Sequence, residues 1–192
     1  LDPDLARSLR RRHDRRLTVV EADALATPMP AEPHRLVGNI PFAITTPLLR
    51  RVLDDPRSQL QRADLIVQEG FARKRTSNRP TTMLALGWLP WWRLGSERHL
   101  PAACFDPPPG VDAALLTIRP RRPALLPSGS ASAYRALLAG GFTRDARPVR
   151  RAIAVAPLAW KRFARDRGLR LDARPHELDV WDWVALFTLV RR

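Results

Sequence analysis

A short apolar run, Arg35-Leu36-Val37, passes through Gly38-Asn39-Ile40-Pro41-Phe42 directly into a helical pattern, Thr45-Thr46-Pro47-Leu48-Leu49-Arg50-Arg51-Val52-Leu53. This junction constrains the fold more than any other stretch. Pro41 has no N–H and holds Ile40 extended, so the chain must leave a strand, turn rigidly and start a helix within a few residues. The turn sets a side-chain amide, Asn39, beside a flat apolar face, Phe42. An acceptor and a flat face are the two things needed to hold a flat, amine-bearing ring such as adenine. An isolated Asn-x-Pro-Phe is also an ordinary loop, with Asn39 capping the helix and Phe42 in the core, so the rest of the chain must decide.

The pattern elsewhere alternates strands and helices. Pro3 to Arg12 fits a helix with Leu5 and Leu9 on one face. Leu17-Thr18-Val19-Val20 is a short β-rich run, and Leu36 to Ile40 is the next strand. A helix over Pro47–Leu53 enters through Thr and Pro, both suited to a helix start. Ala63 to Val67 reads as a strand, followed by a helix from about Glu69. The apolar stretch from Met83 to Arg93 carries Trp88, Trp91 and Trp92 and reads as containing a strand, with Trp88 and Trp92 on one face. Core packing is favoured over nucleobase stacking for at least one face. Ala113 to Ile118 is the last clear strand. Such alternation implies an α/β layered sheet, mostly parallel. Residues 1–121 form this part. Residues 122–130 are rich in Pro, Ser and Gly and read as a linker. Residues 131–192 turn helical, with Tyr134, Leu137 and Leu138, then Leu158, Trp160 and Phe163, then Val180, Trp181, Val184 and Phe187 at helix spacing.

The formal net charge of the 192 residues is +14, and Lys74 and Lys161 are the only lysines. Arginine's planar fork suits phosphate, and a chain this basic associates with polyanions by releasing their counterions. A GC-rich coding sequence accounts for arginine in place of lysine but not for the excess of base over acid. Arg73-Lys74-Arg75 and the stretch Arg144 to Arg151, with Arg147, Arg150 and Arg151, are candidate phosphate contacts, with a solvated basic face as the alternative. The single Cys104 excludes an internal disulfide and a cysteine-rich metal site. His13, His34, His99 and His176 are scattered with no ligand spacing, so no metal is expected. No apolar run is long enough for a membrane span and no signal peptide opens the chain, so the expected location is cytoplasmic and the expected state a monomer.

Four segments in order resemble the ribosomal RNA adenine N6-dimethyltransferase family. Asn39-Ile40-Pro41-Phe42 is similar to its catalytic Asn, Ile or Leu, Pro, Tyr or Phe motif. Val67-Gln68-Glu69-Gly70-Phe71-Ala72-Arg73-Lys74 resembles the family's strand-to-helix segment after the catalytic strand. Leu100 to Leu116, containing Phe105-Asp106-Pro107-Pro108-Pro109-Gly110-Val111-Asp112, resembles the Phe-x-Pro-x-Pro-x-Val-Asp segment. Val20-Glu21-Ala22-Asp23-Ala24 sits where the family keeps an acid for the cofactor's adenine.

The resemblance implies a Rossmann-like S-adenosylmethionine-dependent methyltransferase sheet plus a small C-terminal helical domain that helps to bind ribosomal RNA. Asn39, Ile40, Pro41, Phe42 and Phe105 become the expected catalytic residues, with Phe42 and Phe105 on the two faces of a flipped base. Asp23, Ala24, Gly38 and Asn39 become the expected cofactor contacts. On residue type alone Asp23 is equally an Asx turn or cap, Phe105 equally a buried loop anchor, and Asp112 a turn former ahead of the strand.

The sequence departs from the family in one respect. It has no Gly-x-Gly, its first glycine is Gly38, and Leu1-Asp2-Pro3 matches the residues just after the family's ribose-binding acid. The expectation is a fragment whose first strand, glycine loop and amino-terminal arm are missing, which would leave unpaired sheet edges. Ile40 and the continuation Thr45 to Arg51 look more like the branch that modifies large-subunit (23S) RNA and confers macrolide-type resistance than the housekeeping small-subunit branch. A non-catalytic basic RNA-binding module and a small-molecule or protein methyltransferase are the competing readings.

Overall fold

The computed structural model describes residues 3–11, 15–77, 82–143, 147–153 and 155–191. Leu1, Asp2, Arg12, His13 and the stretch Arg144-Asp145-Ala146 lie outside them. The elements in order are α1 (Pro3–Arg10), β1 (His34–Asn39), α2 (Thr45–Leu53), β2 (Leu60–Gln68), α3 (Glu69–Thr76), α4 (Met83–Trp88), β3 (Trp92–Leu100) and β4 (Ala113–Pro120). Then come α5 (Ala131–Phe142), α6 (Val149–Ala152), α7 (Pro157–Asp166) and α8 (Val180–Val190). None of the described helices is long and apolar enough to cross a membrane.

The four strands form one sheet in the order β1-β2-β4-β3. Only β1 and β2 run parallel; β4 is antiparallel to both of its neighbours. The expectation of a mostly parallel sheet is therefore corrected. The β3–β4 connection, residues 101–112, contains a 3-10 turn but no α-helix, and without a crossover helix the chain reverses. The inner strands carry the core. Ala63, Leu65 and Val67 of β2 alternate inward, and in β4 Ala113, Ala114, Leu116, Thr117 and Ile118 are buried on both faces.

Two other strand readings are also corrected. Leu17–Val20 forms no ladder, and Val20 is 66 % exposed. An extended run needs a neighbour to hydrogen-bond it, and none of the described strands lies beside this one. β1 is likewise an edge strand among the described residues, with Val37 77 % exposed. In the tryptophan-rich stretch the strand starts only at Trp92, because Thr82 caps a helix there by accepting from Ala85 N–H at 3.3 Å. Trp88 thus lies on α4 and does not share a strand face with Trp92. All three indoles are buried, with each N–H satisfied: Trp88 on Asp54 Oδ1 (2.7 Å), Trp91 on Leu126 O (2.8 Å) and Trp92 on Leu53 O (3.1 Å). They are not available to stack on RNA.

The helical part is packed onto the sheet part through one continuous core. Trp91 meets Tyr134 edge-to-face at 5.8 Å, and Tyr134 meets Phe187 at 5.5 Å. Residues 122–130 are stitched to the α4–β3 corner, where Leu125 N–H donates to Pro90 O at 2.8 Å. The predicted apolar face of α1 is uncovered, since Leu5 and Leu9 are exposed.

Adjacent glycines in α5 provide a test of this packing. A Cβ at Gly141 would lie 2.5 Å from Cη2 of Trp183, whereas one at Gly140 meets open space. Gly140→Ala is expected to raise unfolding stability by about 0.5–1 kcal/mol through helix propensity. Gly141→Ala is expected to lower it by about 1–3 kcal/mol, because the overpacking of a buried indole outweighs that gain. Urea unfolding of both variants checks the opposite signs.

Candidate active site

The register of the sheet decides where the site forms. Asn39 at the end of β1 pairs with Ile66 of β2, and Ile66 pairs with Leu115 near the start of β4. The carboxyl ends of two parallel strands and the loop leading into β4 therefore share one rim. In open α/β sheets this rim is where ligands bind.

At the rim an open cleft of about 340 Å³ is lined by Asn39, Ile40, Pro41, Phe42, Phe105, Asp106, Pro107 and Pro109. Asn39 and Pro41 are exposed, while Ile40, Phe42 and Phe105 are half-buried. Two aromatic rings thus line one cleft with an exposed amide between them. Asn39 does not cap α2. The residue before that helix is Ile44, no side chain caps it, and a 3-10 turn over Phe42–Ile44 supplies the first acceptor, Phe42 O, to Thr45 N–H. Among the described residues the Asn39 side chain has no hydrogen-bond partner, so its amide is free for a ligand. The helix starts two residues earlier than the expected Pro47, at Thr45, which is buried with its hydroxyl unpartnered.

The opposite wall is the 101–112 loop. Asp112 closes its base, with Oδ1 accepting from Ala102 N–H at 2.9 Å and its carbonyl accepting from Glu69 N–H at 3.0 Å. This matches the structural role read from the sequence. The expectation of isolated histidines is corrected at His99, whose ring lies 3.3 Å from Glu69 Oε1 and 3.6 Å from Asp112 Oδ2. Three residues far apart in sequence meet here because α3, β3 and β4 end at the same rim, which no local spacing could reveal. Asp106 lines the cleft and was not singled out by sequence either.

Asp23 and Ala24 do not line this cleft. Asp23 forms an Asx turn, with Oδ1 accepting from Leu25 N–H at 2.8 Å, and its carbonyl accepts from Ala26 and Thr27 N–H. Its other carboxylate oxygen has no partner among the described residues. Arg51 of α2 holds this turn by donating to Leu25 O and Thr27 O, a clamp the sequence did not disclose.

The candidate phosphate contacts are also outside the cleft and are not equivalent. Arg73 and Lys74 are exposed. Arg75 lies 3.5 Å over the Phe71 ring and donates to Phe71 O at 3.1 Å, and burial holds its guanidinium below the usual range. Arg147 and Arg151 are exposed and Arg150 is half-buried. On α7 the exposed Lys161, Arg162 and Arg165 flank exposed Leu158 and form a basic surface that the helix pattern alone did not single out.

Sheet, rim cleft and helical lobe together define a chain of the Rossmann-like methyltransferase fold. The chain belongs to the ribosomal RNA adenine dimethylase family, whose model matches residues 1–190. It is 34% identical over 193 residues to the mycinamicin-resistance protein MyrB of Micromonospora griseorubida, covering 100% of this chain and 61% of that protein. It is 33% identical over 201 residues to ribosomal RNA small subunit methyltransferase A of Synechococcus sp. (strain JA-3-3Ab), covering 99% of this chain and 71% of that one. The crystal structure of the 23S rRNA methyltransferase ErmE superposes with a TM-score of 0.86 at 26% identity, over 100% of this chain and 80% of that one.

Arg51→Ala is expected to speed amide exchange at Ala26 and Thr27 about tenfold. Arg51→Lys is expected to restore little of that protection, since an ammonium lacks the fork that spans both carbonyls. Exchange followed by NMR checks this.

Proposed function

We propose that this chain is the catalytic and RNA-binding part of an rRNA adenine N6-methyltransferase acting on large-subunit (23S) RNA and conferring macrolide-type resistance. The observation that carries the reading is the open cleft of about 340 Å³ between Asn39-Ile40-Pro41-Phe42 and Phe105, lined by an unpartnered amide. The likeness to the 23S rRNA methyltransferase ErmE and to the mycinamicin-resistance protein MyrB, together with Ile40 and the Thr45–Arg51 continuation, supports the large-subunit, resistance branch; the likeness to a small-subunit enzyme keeps that branch as the alternative.

Adenine's exocyclic amine is a poor nucleophile because its lone pair is delocalised into the ring. Asn39 Oδ1 accepts one of its hydrogens and the carbonyl of Gly38 or Ile40 the other, drawing nitrogen toward a tetrahedral geometry. Phe42 and Phe105 take the two faces of the flipped base. Pro41 keeps the turn from relaxing, so alignment and electrostatics supply most of the catalysis and the proton leaves to water. S-adenosylmethionine, when bound, supplies a methyl group on a cationic sulfur. The residues present fit part of such a donor. Asp23, through its open carboxylate oxygen, with Ala24 would hold the donor's adenine, and Gly38 and Asn39 would contact the rest of it, while no Gly-x-Gly stands in this chain. Residues 131–192, with Arg147, Arg150 and Arg151, and Arg73 with Lys74, take the RNA backbone. The reading places the protein with the ribosomal RNA it acts on, in the cytoplasm.

Asn39→Ala is expected to lower kcat at least about 100-fold while RNA affinity stays within about twofold, because only the transition-state geometry is touched. Methyl transfer from labelled donor to bare 23S and 16S RNA, with Asn39→Ala as the control, tests both the chemistry and the branch. Methylation that survives Asn39→Ala overturns the chemistry, and preference for 16S RNA overturns the branch. Replacing Arg147, Arg150 and Arg151 together by Ala is expected to weaken RNA binding and to reduce the slope of log affinity against log salt by about 2–3, measured by titration at several ionic strengths.

A further inference from the structure

The wall that carries Phe105 has a thin attachment to the rest of the molecule. Between Leu100 and Ala113, which pair across β3 and β4, the described backbone hydrogen bonds within the loop are those of the short turn, Cys104 N–H to Pro101 O at 2.9 Å and Phe105 N–H to Ala102 O at 3.1 Å. The loop is tied to the body through Asp112, whose carbonyl receives Glu69 N–H and whose Oδ1 receives Ala102 N–H. The position of Phe105 therefore depends on where the Asp112 carboxylate points.

That carboxylate does not stand alone. His99 Nε2 is 3.6 Å from Asp112 Oδ2, and His99 Nδ1 is 3.3 Å from Glu69 Oε1. The imidazole ring sits between two carboxylates, one on α3 and one at the root of the loop. Ionised carboxylates only accept, and a ring protonated on both nitrogens would turn a donor toward each of them at ion-pair distance. Among the described residues, no other cation lies at ion-pair distance from Glu69 or Asp112. With no cation between them, two ionised carboxylates would face each other at the loop's attachment. Single exposed ion pairs contribute little, but a protonated ring here would join two elements and offset a repulsion.

We propose that His99 is a positioning residue for the adenine cleft: by bridging Glu69 and Asp112 it holds the 101–112 loop, and with it Phe105, against the Asn39–Phe42 wall. This rests on the reading of the cleft as the base pocket. His99 does not line the cleft and acts through Asp112 and Ala102.

The chain's single cysteine, Cys104, is exposed and adjoins Phe105, so it can carry a nitroxide without further mutation. The spectrum of the labelled protein is compared for His99→Phe, which keeps a flat ring and removes both donors, and for His99→Arg, which restores donors on a fixed charge. The expected result in His99→Phe is at least a threefold larger mobile fraction at Cys104 and about tenfold faster amide exchange at Ala102, with both returning to within twofold in His99→Arg. Glu69→Gln, which folds more safely because it keeps shape, is expected to loosen the loop about threefold. In methyl transfer, His99→Phe is expected to lower kcat about tenfold with KM for RNA within twofold. Unchanged mobility and exchange in His99→Phe overturn the bridge, as does order that requires added zinc and vanishes with chelator. A loosened loop with unchanged kcat overturns the positioning role. If the unsubstituted protein transfers no methyl group, the functional reading fails, and the label and exchange data still decide the bridge.

Discussion

The insertion of β4 between β2 and β3 is the arrangement on which the rest depends. It is antiparallel to both neighbours, and its first residues lie level with the last residues of β1 and β2. That register brings a loop from beyond position 100 to the rim where the Asn39 turn emerges. A one-residue slip would send Ala114, Leu116 and Ile118 to the wrong face of the sheet and carry the Phe105 loop away from its counterpart. The cleft is thus a by-product of core packing, and its two walls are only as well placed as the ladder between them.

Rigidity at this rim comes from several small devices and not from one deep anchor. Pro41 stiffens one wall. Asp112 ties down the other, and Arg51 holds the neighbouring Asp23 turn against α2. Each uses polar groups near the surface, where solvent competes, so the rim is less stable than the tryptophan-lined core behind it.

The core behind the rim also settles how the two halves of the chain relate. Trp91, Tyr134 and Phe187 form an edge-to-face series from the sheet into the helices, and Leu126 of the intervening segment is buried beside Trp91, whose N–H it receives. The helical part is therefore held in a fixed orientation, and its arginines present charge at set positions relative to the cleft. A basic surface held at fixed positions can attract a polyanion over long range.

From sequence alone, the strand-turn-helix at residues 36–53, the strands at 63–67 and 113–118, and the pairing of an amide with two aromatic rings could all be read. The strands and the turn rest on local restrictions, proline geometry and alternation of apolar residues, whereas the pairing with Phe105 was implied only by the family resemblance. The shared order of motifs also marked the family. What only the tertiary structure decided was everything requiring a partner distant in sequence. Leu17–Val20 has strand propensity but no ladder, because no neighbouring strand is there among the described residues to receive its hydrogen bonds. Trp88 went to a helix because a cap at Thr82 outweighed the strand-like composition around it. His99, unremarkable in the sequence, lies between Glu69 and Asp112 because three elements end at one rim, and Arg75 is set against Phe71 while Lys74 beside it faces solvent. Local sequence limits which conformations a segment can take, whereas hydrogen-bond partners, burial and charge pairs are properties of the assembled fold.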